Sequence, residues 1–197
     1  KRFGQLMRDI DGYSGGFVAH SALRLTPLLA LRPGELRHLE WAEVHFDTAE
    51  IRIPGSKMKM GSDHIVPLSN QSQAILEAIK PLTGDGQYVF PSIRAPKGDR
   101  PISENTVNVA LRTLGWDGKE ICAHGFRGSF CSIANERLNF SVDAIERQLA
   151  HAERNKVRAA YIHADFLDER RRLMQGWADY LDELKAYGDN VVPIKVA

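Results

Sequence analysis

An apolar stripe near the end of the chain constrains the fold more than any other feature of the sequence. Its five large side chains recur at three- and four-residue spacing: Leu173, Met174, Trp177, Leu181 and Leu184. That spacing is the period of one face of an α-helix, and it predicts a helix over Asp165–Lys185. The stripe therefore indicates a helical core.

Most of the remaining sequence also predicts helices, whose ends are marked by Gly, Pro and capping residues. Pro27 is expected to kink one of them, and Pro81 is expected to end another. The predicted helices cover Lys1–Ile10, Phe17–Leu31, Pro33–Glu40, a segment from Ser69 or Asn70 to Pro81, Ser103–Leu114, residues 124–138 and residues 141–150. The segment Leu82–Arg100 has the composition of a loop, in which Tyr88–Phe90 can form a short strand.

Three short extended runs interrupt this helical pattern, at Val44–Phe46, Glu50–Ile53 and His64–Leu68. A polar, cationic segment, Gly55–Gly61, separates the last two runs. The pattern predicts a small three-stranded antiparallel sheet with an exposed basic turn. The fold class is therefore α+β, mainly α.

Composition limits the protein class without naming a function. The chain has 197 residues, 43% hydrophobic and 26% charged, which suits one globular domain and excludes disorder. Its net charge of +1 favours no particular partner. Cys122 and Cys131 are the only cysteines, so a four-thiolate zinc site is impossible, and buried free thiols in a reducing cytosol are expected. No apolar run reaches the ~20 residues of a membrane span. The chain lacks an initiator Met and starts within a predicted helix, so we interpret it as part of a longer protein.

Several common chemistries have no motif in this sequence. The phosphate-binding GxxxxGK[ST], the dinucleotide-binding GxGxxG, the zinc-binding HExxH and the nucleophilic GxSxG are all absent. Clustered acidic residues for a two-metal centre are also missing. The sequence therefore predicts no cofactor and no metal, and any phosphate chemistry would be metal-free.

Three segments, together with a lysine on the basic turn, bring suitable groups for another chemistry. The segments are Leu31–Leu36, with an arginine on a Pro-Gly turn; His124–Arg127, with His and Arg three residues apart; and Leu149–His151, followed ten residues later by a tyrosine. Guanidinium groups hold phosphate oxygens and stabilise the charge of a transition state. A tyrosine can act as a covalent nucleophile if a base or nearby cations assist it. Histidine and lysine can transfer the protons.

This combination resembles the catalytic domain of tyrosine recombinases, specifically prophage and genomic-island integrases. The resemblance covers essentially the whole chain, because these motifs occur in the family's order and approximate spacing. It extends through Ser56–Met60, His64–Ser69, Gln148–His151 and Arg170–Met174.

The resemblance implies a role for each motif residue. Arg32 and Arg127 would clamp the scissile phosphate, and Tyr161 would be the nucleophile. His124 would transfer a proton with Tyr161, and His151 would hydrogen-bond the phosphate. Lys59 would be the general acid, with Lys57 as its neighbouring competitor, and Glu35 would brace the site.

The resemblance also implies domains and partners. Residues 1–187 would form the catalytic domain, and residues 188–197 a tail that docks on a neighbouring protomer, while the family's N-terminal DNA-binding domains are absent. The partners would be double-stranded DNA attachment sites, a homotetramer on DNA, and accessory DNA-bending or directionality proteins, with no membrane. The protein would act in the bacterial cytoplasm, at the nucleoid. Two other functions stay open: a type IB topoisomerase and a non-catalytic DNA-binding regulator on the same fold.

Taken singly, these residues have ordinary structural explanations. Arg32 could be a surface residue at a helix start, Tyr161 could pack in the core as Tyr180 and Tyr187 are expected to do, and both turn lysines could be simple surface cations. The other histidines (His20, His38, His45, His64 and His163) are expected to be surface or structural residues, and Trp41, Trp116 and Trp177 to pack in the core. The run Arg170–Arg172 is expected to be a solvated or phosphate-touching helix face.

Overall fold

A computed structural model of the chain describes residues 2–59, 61–95, 97–151 and 166–187. Eight α-helices and three strands lie within these ranges. The helices are α1 (Phe3–Asp11), α2 (Phe17–Leu29), α3 (Pro33–Arg37), α4 (Asn70–Thr83), α5 (Thr106–Thr113), α6 (Gly125–Glu136), α7 (Val142–Gln148) and α8 (Leu167–Tyr187). The strands are β1 (Val44–His45), β2 (Glu50–Ile53) and β3 (His64–Pro67). The predicted fold class, mainly helical with a small sheet, is confirmed.

The sheet is antiparallel, and its spatial order follows the sequence, β1-β2-β3. Val44 pairs with Ile51, and Ile53 pairs with His64. Strand β2 alternates as expected: Ile51 and Ile53 are buried, whereas Arg52 between them is exposed. The sheet thus adds one apolar face to the helical core.

Helix α8 carries the apolar stripe and buries all five of its members. Trp177 lies at its centre, with its ring centroid 5.3 Å from that of Phe130 in an edge-to-face arrangement. The indole Nε1–H donates to the Pro27 carbonyl oxygen at 2.8 Å. That carbonyl belongs to the last turn of α2, where intrahelical partners run out. The stripe therefore fixes the end of α2 as well as filling the core.

The expected helix end at Pro81 is wrong, because α4 continues through this residue to Thr83. Tertiary contacts hold the extra turn: the Trp41 indole donates to the Thr83 carbonyl oxygen at 2.9 Å, and the Thr83 hydroxyl donates to Val89. Pro27 likewise lies inside α2, two residues before its end.

Other boundaries differ by a few residues. Ser103 organises a turn, accepting from the Thr106 backbone N–H at 3.0 Å, and α5 begins only at Thr106. The segment Tyr88–Phe90 forms a single bridge, between Tyr88 and Glu40, instead of a strand.

The two cysteines are free, as expected, but only half buried. The buried face of α6 is formed by Phe126, Arg127, Phe130 and Ala134. Cys131 lies at the edge of that face and so keeps partial contact with solvent.

Across the described ranges, we find no helix that combines the length and the apolar character needed to cross a membrane.

Candidate active site

Two arginines are held together by carbonyl groups at helix ends. Arg127 of α6 is 5% exposed, and its guanidinium donates to the carbonyl oxygens of Ala30 at 2.5 Å and Leu149 at 2.7 Å. Arg32 donates to the carbonyl oxygen of Ala150 at 3.1 Å. Ala30 directly follows α2, and Leu149 and Ala150 directly follow α7. Such carbonyls lack intrahelical partners and carry partial negative charge, so they suit guanidinium groups.

The backbone turns sharply at these helix ends. Ala30 has a φ of 50° and Ala150 a φ of 48°, in the left-handed region that commonly terminates helices. A residue with a Cβ adopts this conformation at a cost of roughly 1–2 kcal/mol. At both positions, the carbonyl of the strained residue accepts a hydrogen bond from an arginine, which helps to offset that cost.

Glu35 fixes Arg32 through both of its carboxylate oxygens. Oε1 lies 2.6 Å from the Arg32 guanidinium, and Oε2 accepts from the Arg32 backbone N–H at 2.9 Å. Because Glu35 lies in the first turn of α3, its charge also suits the positive end of that helix. Arg32 is therefore anchored at both its backbone and its side chain.

The arrangement concentrates positive charge. Burial lowers the pKa of the Arg127 guanidinium, the nearby Arg32 charge lowers it further, and Glu35 acts in the opposite direction. Arginine stays protonated in proteins even so. Two cations held this close favour an anion that lies against both of them.

His151 joins this cluster from the segment after α7. Its Nε2 lies 3.4 Å from the Arg127 guanidinium, and its Nδ1 lies 2.7 Å from Glu146 Oε2. Since a carboxylate can only accept, Nδ1 carries a proton and Nε2 faces the arginine. The structure thus brings together Arg32, Glu35, Arg127 and His151, which are far apart in the sequence.

His124 precedes α6 as its N-cap residue, and its backbone carbonyl accepts from the Arg127 N–H at 3.1 Å. Its ring is exposed, and within the described ranges it makes no hydrogen bond. His124 therefore lies beside the cluster without being tied to it. Tyr161, like His163, falls outside the described residues.

The two turn lysines differ sharply. Lys57 Nζ lies 2.7 Å from the His38 carbonyl oxygen, 3.0 Å from Glu40 and 2.7 Å from Glu43. Burial raises the pKa of the Glu40 carboxyl, but the hydrogen bond and charge of Lys57 outweigh it, so the pKa is lowered overall. Lys59 is exposed, and in the described part of the chain it makes no ion pair or hydrogen bond. The Lys57 ammonium group is therefore occupied by three protein acceptors, whereas the Lys59 ammonium group is free to contact a ligand.

The expectation that Arg170 lies on a solvated helix face is wrong. Arg170 is 1% exposed, its Nε donates to Gln148 Oε1 at 3.0 Å, and its guanidinium also donates to the Ile65 carbonyl oxygen. The signal was in the spacing: Arg170 precedes Leu173 by three residues and Trp177 by seven, so it lies on the apolar stripe. Arg171 and Arg172, which are off the stripe, are exposed as expected.

His64, at the start of β3, holds Gln148 together with Arg170. Its ring hydrogen-bonds the backbone of Gln148, and it is 4% exposed. Burial lowers the pKa of His64 to about 3, with further lowering by the charges of Arg170, Arg147 and Arg127. Neutral His64 and cationic Arg170 thus hold Gln148 in place. The three residues after Gln148 contribute to the cluster: Leu149 and Ala150 through their carbonyl oxygens, and His151 through its ring.

The cluster lies apart from a cavity between four of the helices. A cavity of about 260 Å³ among α1, α2, α4 and α8 is lined by residues such as Met7, Pro27 and Leu181, and none of the cluster residues borders it. In the described ranges, no group of three or more His, Cys, Asp or Glu side chains could hold a metal ion. The arrangement suits a polyanion better than a small apolar ligand.

Comparisons with known proteins give a consistent picture. Residues 3–167 match the phage integrase family. The chain is 44% identical to the integrase of Enterobacteria phage P4 over 92% of its own length and 44% of that relative. It is 41% identical to the Escherichia coli K12 prophage integrase IntS, over 87% of the chain and 44% of that relative. The chain thus spans about half the length of the curated relatives that it matches.

Solved structures share the fold at low sequence identity. The integrase of mycobacterium phage Brujita aligns with a TM-score of 0.66 at 13% identity, covering 87% of this chain and 55% of that one. The XerA recombinase aligns with a TM-score of 0.61 at 18% identity, covering 89% and 57%. A lambda integrase dimer bound to a COC′ core site aligns at 0.58 and 18%, covering 76% and 56%.

The buried position of Arg170 can be tested by stability. We expect Arg170→Met to lower the free energy of unfolding by about 2–5 kcal/mol, because two buried acceptors, on Gln148 and Ile65, lose their donor. Arg172→Met, two residues away and exposed, should change it by less than about 0.5 kcal/mol. Urea denaturation measures both, and equal small losses would contradict the assignment.

The low pKa of His64 makes stability depend on pH. The folded chain protonates His64 only near pH 3, whereas the unfolded chain does so near pH 6.5. Between these values unfolding takes up a proton, so the free energy of unfolding decreases as the pH is lowered, by at most about 1.4 kcal/mol per pH unit. We expect His64→Gln to flatten the difference between pH 7 and pH 5 in urea denaturation. If the stability of the variant depends on pH as strongly as that of the wild type, the lowered pKa of His64 is contradicted.

Proposed function

The chain belongs to the phage integrase family, and we propose that it is the catalytic domain of a site-specific DNA recombinase that integrates or excises a mobile element, such as a prophage or genomic island. The observation that carries the proposal is the pair formed by Arg32 and Arg127, anchored on helix-end carbonyls beside His151. This geometry supports a site for one DNA phosphate. The reaction would cleave and rejoin DNA through a 3′-phosphotyrosine.

The two arginines would bind the non-bridging oxygens of the scissile phosphate. Their positions are fixed before DNA arrives, since carbonyl groups and Glu35 hold them. Fixed donors stabilise the charge that develops in a five-coordinate transition state, and losing one commonly costs about 10²–10³ in rate. Glu35 would act as a positioning residue for Arg32. His151 would hydrogen-bond a phosphate oxygen as an imidazolium, in which Nε2 carries a proton as well as Nδ1.

Tyr161 would supply the nucleophile. Its hydroxyl oxygen attacks phosphorus, the bond from phosphorus to the 5′-oxygen breaks, and the new ester is a 3′-phosphotyrosine. The tyrosine proton passes to His124, and the departing 5′-oxygen takes a proton from Lys59. In rejoining, a 5′-hydroxyl attacks the ester and the same protons return. One ester replaces another, so the reaction needs no external energy source.

The contacts of the turn lysines support Lys59 as the general acid. Lys57 is held by His38, Glu40 and Glu43, so it would have to leave three partners to reach DNA. Lys59 extends from the exposed turn instead. The turn is closed at its base, where the Asp63 carboxylate accepts from the Gly55 N–H at 2.7 Å. Lys57 would therefore shape the hairpin that carries Lys59.

The proposed partners are double-stranded attachment sites and further copies of the protein, together with accessory DNA-bending or directionality proteins. Two of the solved relatives are described as a lambda integrase dimer bound to a core site and a tetramer bound to a Holliday junction. We propose that residues 1–187 form the catalytic domain and that the tail 188–197 docks on a neighbouring protomer of a tetramer. Chromosomal DNA as substrate would place the protein at the nucleoid in the bacterial cytoplasm. Neither a type IB topoisomerase nor a non-catalytic regulator is favoured by these comparisons.

A trapped adduct tests the chemistry. On attachment-site DNA with a bridging 5′-phosphorothiolate, the full-length protein should form an adduct that resists SDS, because the released thiolate rejoins poorly. Tyr161→Phe should abolish the adduct, which a denaturing gel would show. An undiminished adduct in Tyr161→Phe would sink the proposal.

The same substrate separates the two lysines. A thiolate leaves without a general acid, since a thiol has a pKa near 8.5, whereas an alcohol needs a proton. We expect Lys59→Ala to slow cleavage of ordinary DNA by about 10²–10⁴-fold. On the phosphorothiolate substrate, the same variant should cleave at nearly the wild-type rate. Lys57→Ala should lower the stability of the protein, and its cleavage rate should not be restored on the phosphorothiolate substrate. Rescue of Lys57→Ala alone would reverse the assignment.

A further inference from the structure

The loop between α4 and α5 presents an unusual surface. We define the 92–100 loop as residues 92–95 and 97–100. Ile93 is 98% exposed, the most exposed of the large apolar side chains in the described ranges. Arg94, Lys97 and Arg100 are also exposed, against one carboxylate, Asp99. Within the described residues, the three cations have neither an ion pair nor a side-chain hydrogen bond.

Backbone hydrogen bonds hold the loop in a defined shape. The Ser92 N–H donates to the Arg100 carbonyl oxygen at 2.8 Å, which closes the base of the turn. The Ala95 N–H donates to Ser92 at 2.8 Å, and the Gly98 N–H donates to Ala95 at 2.9 Å. A further bridge pairs Pro91 with Pro101. The exposed side chains therefore project from a constrained turn.

The base of the loop is attached to the helix that begins just after Arg32. Arg37, the last residue of α3, donates to the Ile102 carbonyl oxygen at 2.5 Å. The Val89 N–H donates to Leu39 at 2.9 Å, and the Trp41 N–H donates to Gln87 at 3.0 Å. These bonds join the base of the loop to the segment that follows Arg32.

The chemistry of the loop matches a DNA duplex. Unpaired Arg and Lys side chains contact phosphates and release counterions. An aliphatic side chain between such cations can contact a thymine methyl group or enter the minor groove as a wedge. A protein interface would more commonly lack charge at its centre.

We propose that the 92–100 loop is a second DNA contact, outside the cleaved phosphate. Arg94, Lys97 and Arg100 bind phosphates other than the cleaved one, and Ile93 contacts the groove. The proposal rests on the proposed function, because it requires that the arginine pair binds DNA at all.

The salt dependence of DNA binding tests the cations. Full-length wild type and the triple variant Arg94→Gln, Lys97→Gln, Arg100→Gln would be titrated with attachment-site DNA at several salt concentrations. The slope of log affinity against log salt should fall in magnitude by about 0.9 per lost phosphate contact. The matched control is Arg24→Gln, because Arg24 is already paired with Asp11 at 3.3 Å. Equal slopes in wild type, control and triple variant would overturn the proposal.

Ile93→Ser tests the groove contact separately. It should weaken affinity about 5–10-fold at every salt concentration without changing the slope, and unchanged affinity would remove Ile93 from the proposal. All loop variants should still form the covalent adduct at saturating DNA.

If the adduct forms but the salt slopes of the variants equal that of the wild type, only the loop proposal is wrong. If the wild type itself forms no adduct, the proposed function is wrong. Loss of tetramer assembly with unaltered DNA binding would make the loop a protein contact and overturn the proposal.

Discussion

The buried guanidinium of Arg127 is the interaction on which the rest of the site depends. It bonds the carbonyl oxygens that follow α2 and α7, so one side chain joins the ends of two helices that are distant in sequence. Arg32 repeats the arrangement at the next residue after α7. Burying a cation is costly unless its donors are satisfied, and helix-end carbonyls satisfy them without neutralising the charge. The result is a rigid, positive surface.

A second layer keeps the end of α7 in place. Arg170 from α8 holds the Gln148 side chain, and the neutral ring of His64 from β3 holds its backbone. The next three residues supply two carbonyls and a histidine to the cluster. The sheet and the last helix therefore support the site through Gln148, which in the described part of the chain hydrogen-bonds neither Arg32 nor Arg127. The fold and the chemistry are connected at Gln148.

Local patterns predicted much of the fold and only part of the site. The apolar stripe predicts α8 correctly because the helical period depends only on residues that are close together in the sequence. The sequence predictions for Pro81 and Arg170 are wrong because the deciding contacts come from distant segments: Trp41 holds the helix turn after Pro81, and Gln148 accepts from Arg170. The same holds for the turn lysines: the family resemblance favours Lys59 over Lys57, but the ion pairs of Lys57 with Glu40 and Glu43 become visible only in the structure. Motif order singled out Arg32, Arg127 and His151, but no spacing could show that helix-end carbonyls join them.

The central claim is that this surface positions one DNA phosphate for attack by Tyr161. Peptide mapping of the trapped protein–DNA adduct by mass spectrometry tests it most directly, because it identifies the linked residue. The account predicts a nucleotide joined through its 3′-phosphate to the peptide that contains Tyr161. Attachment at another residue, such as Tyr88 or Tyr180, or through a 5′-phosphate, would contradict it.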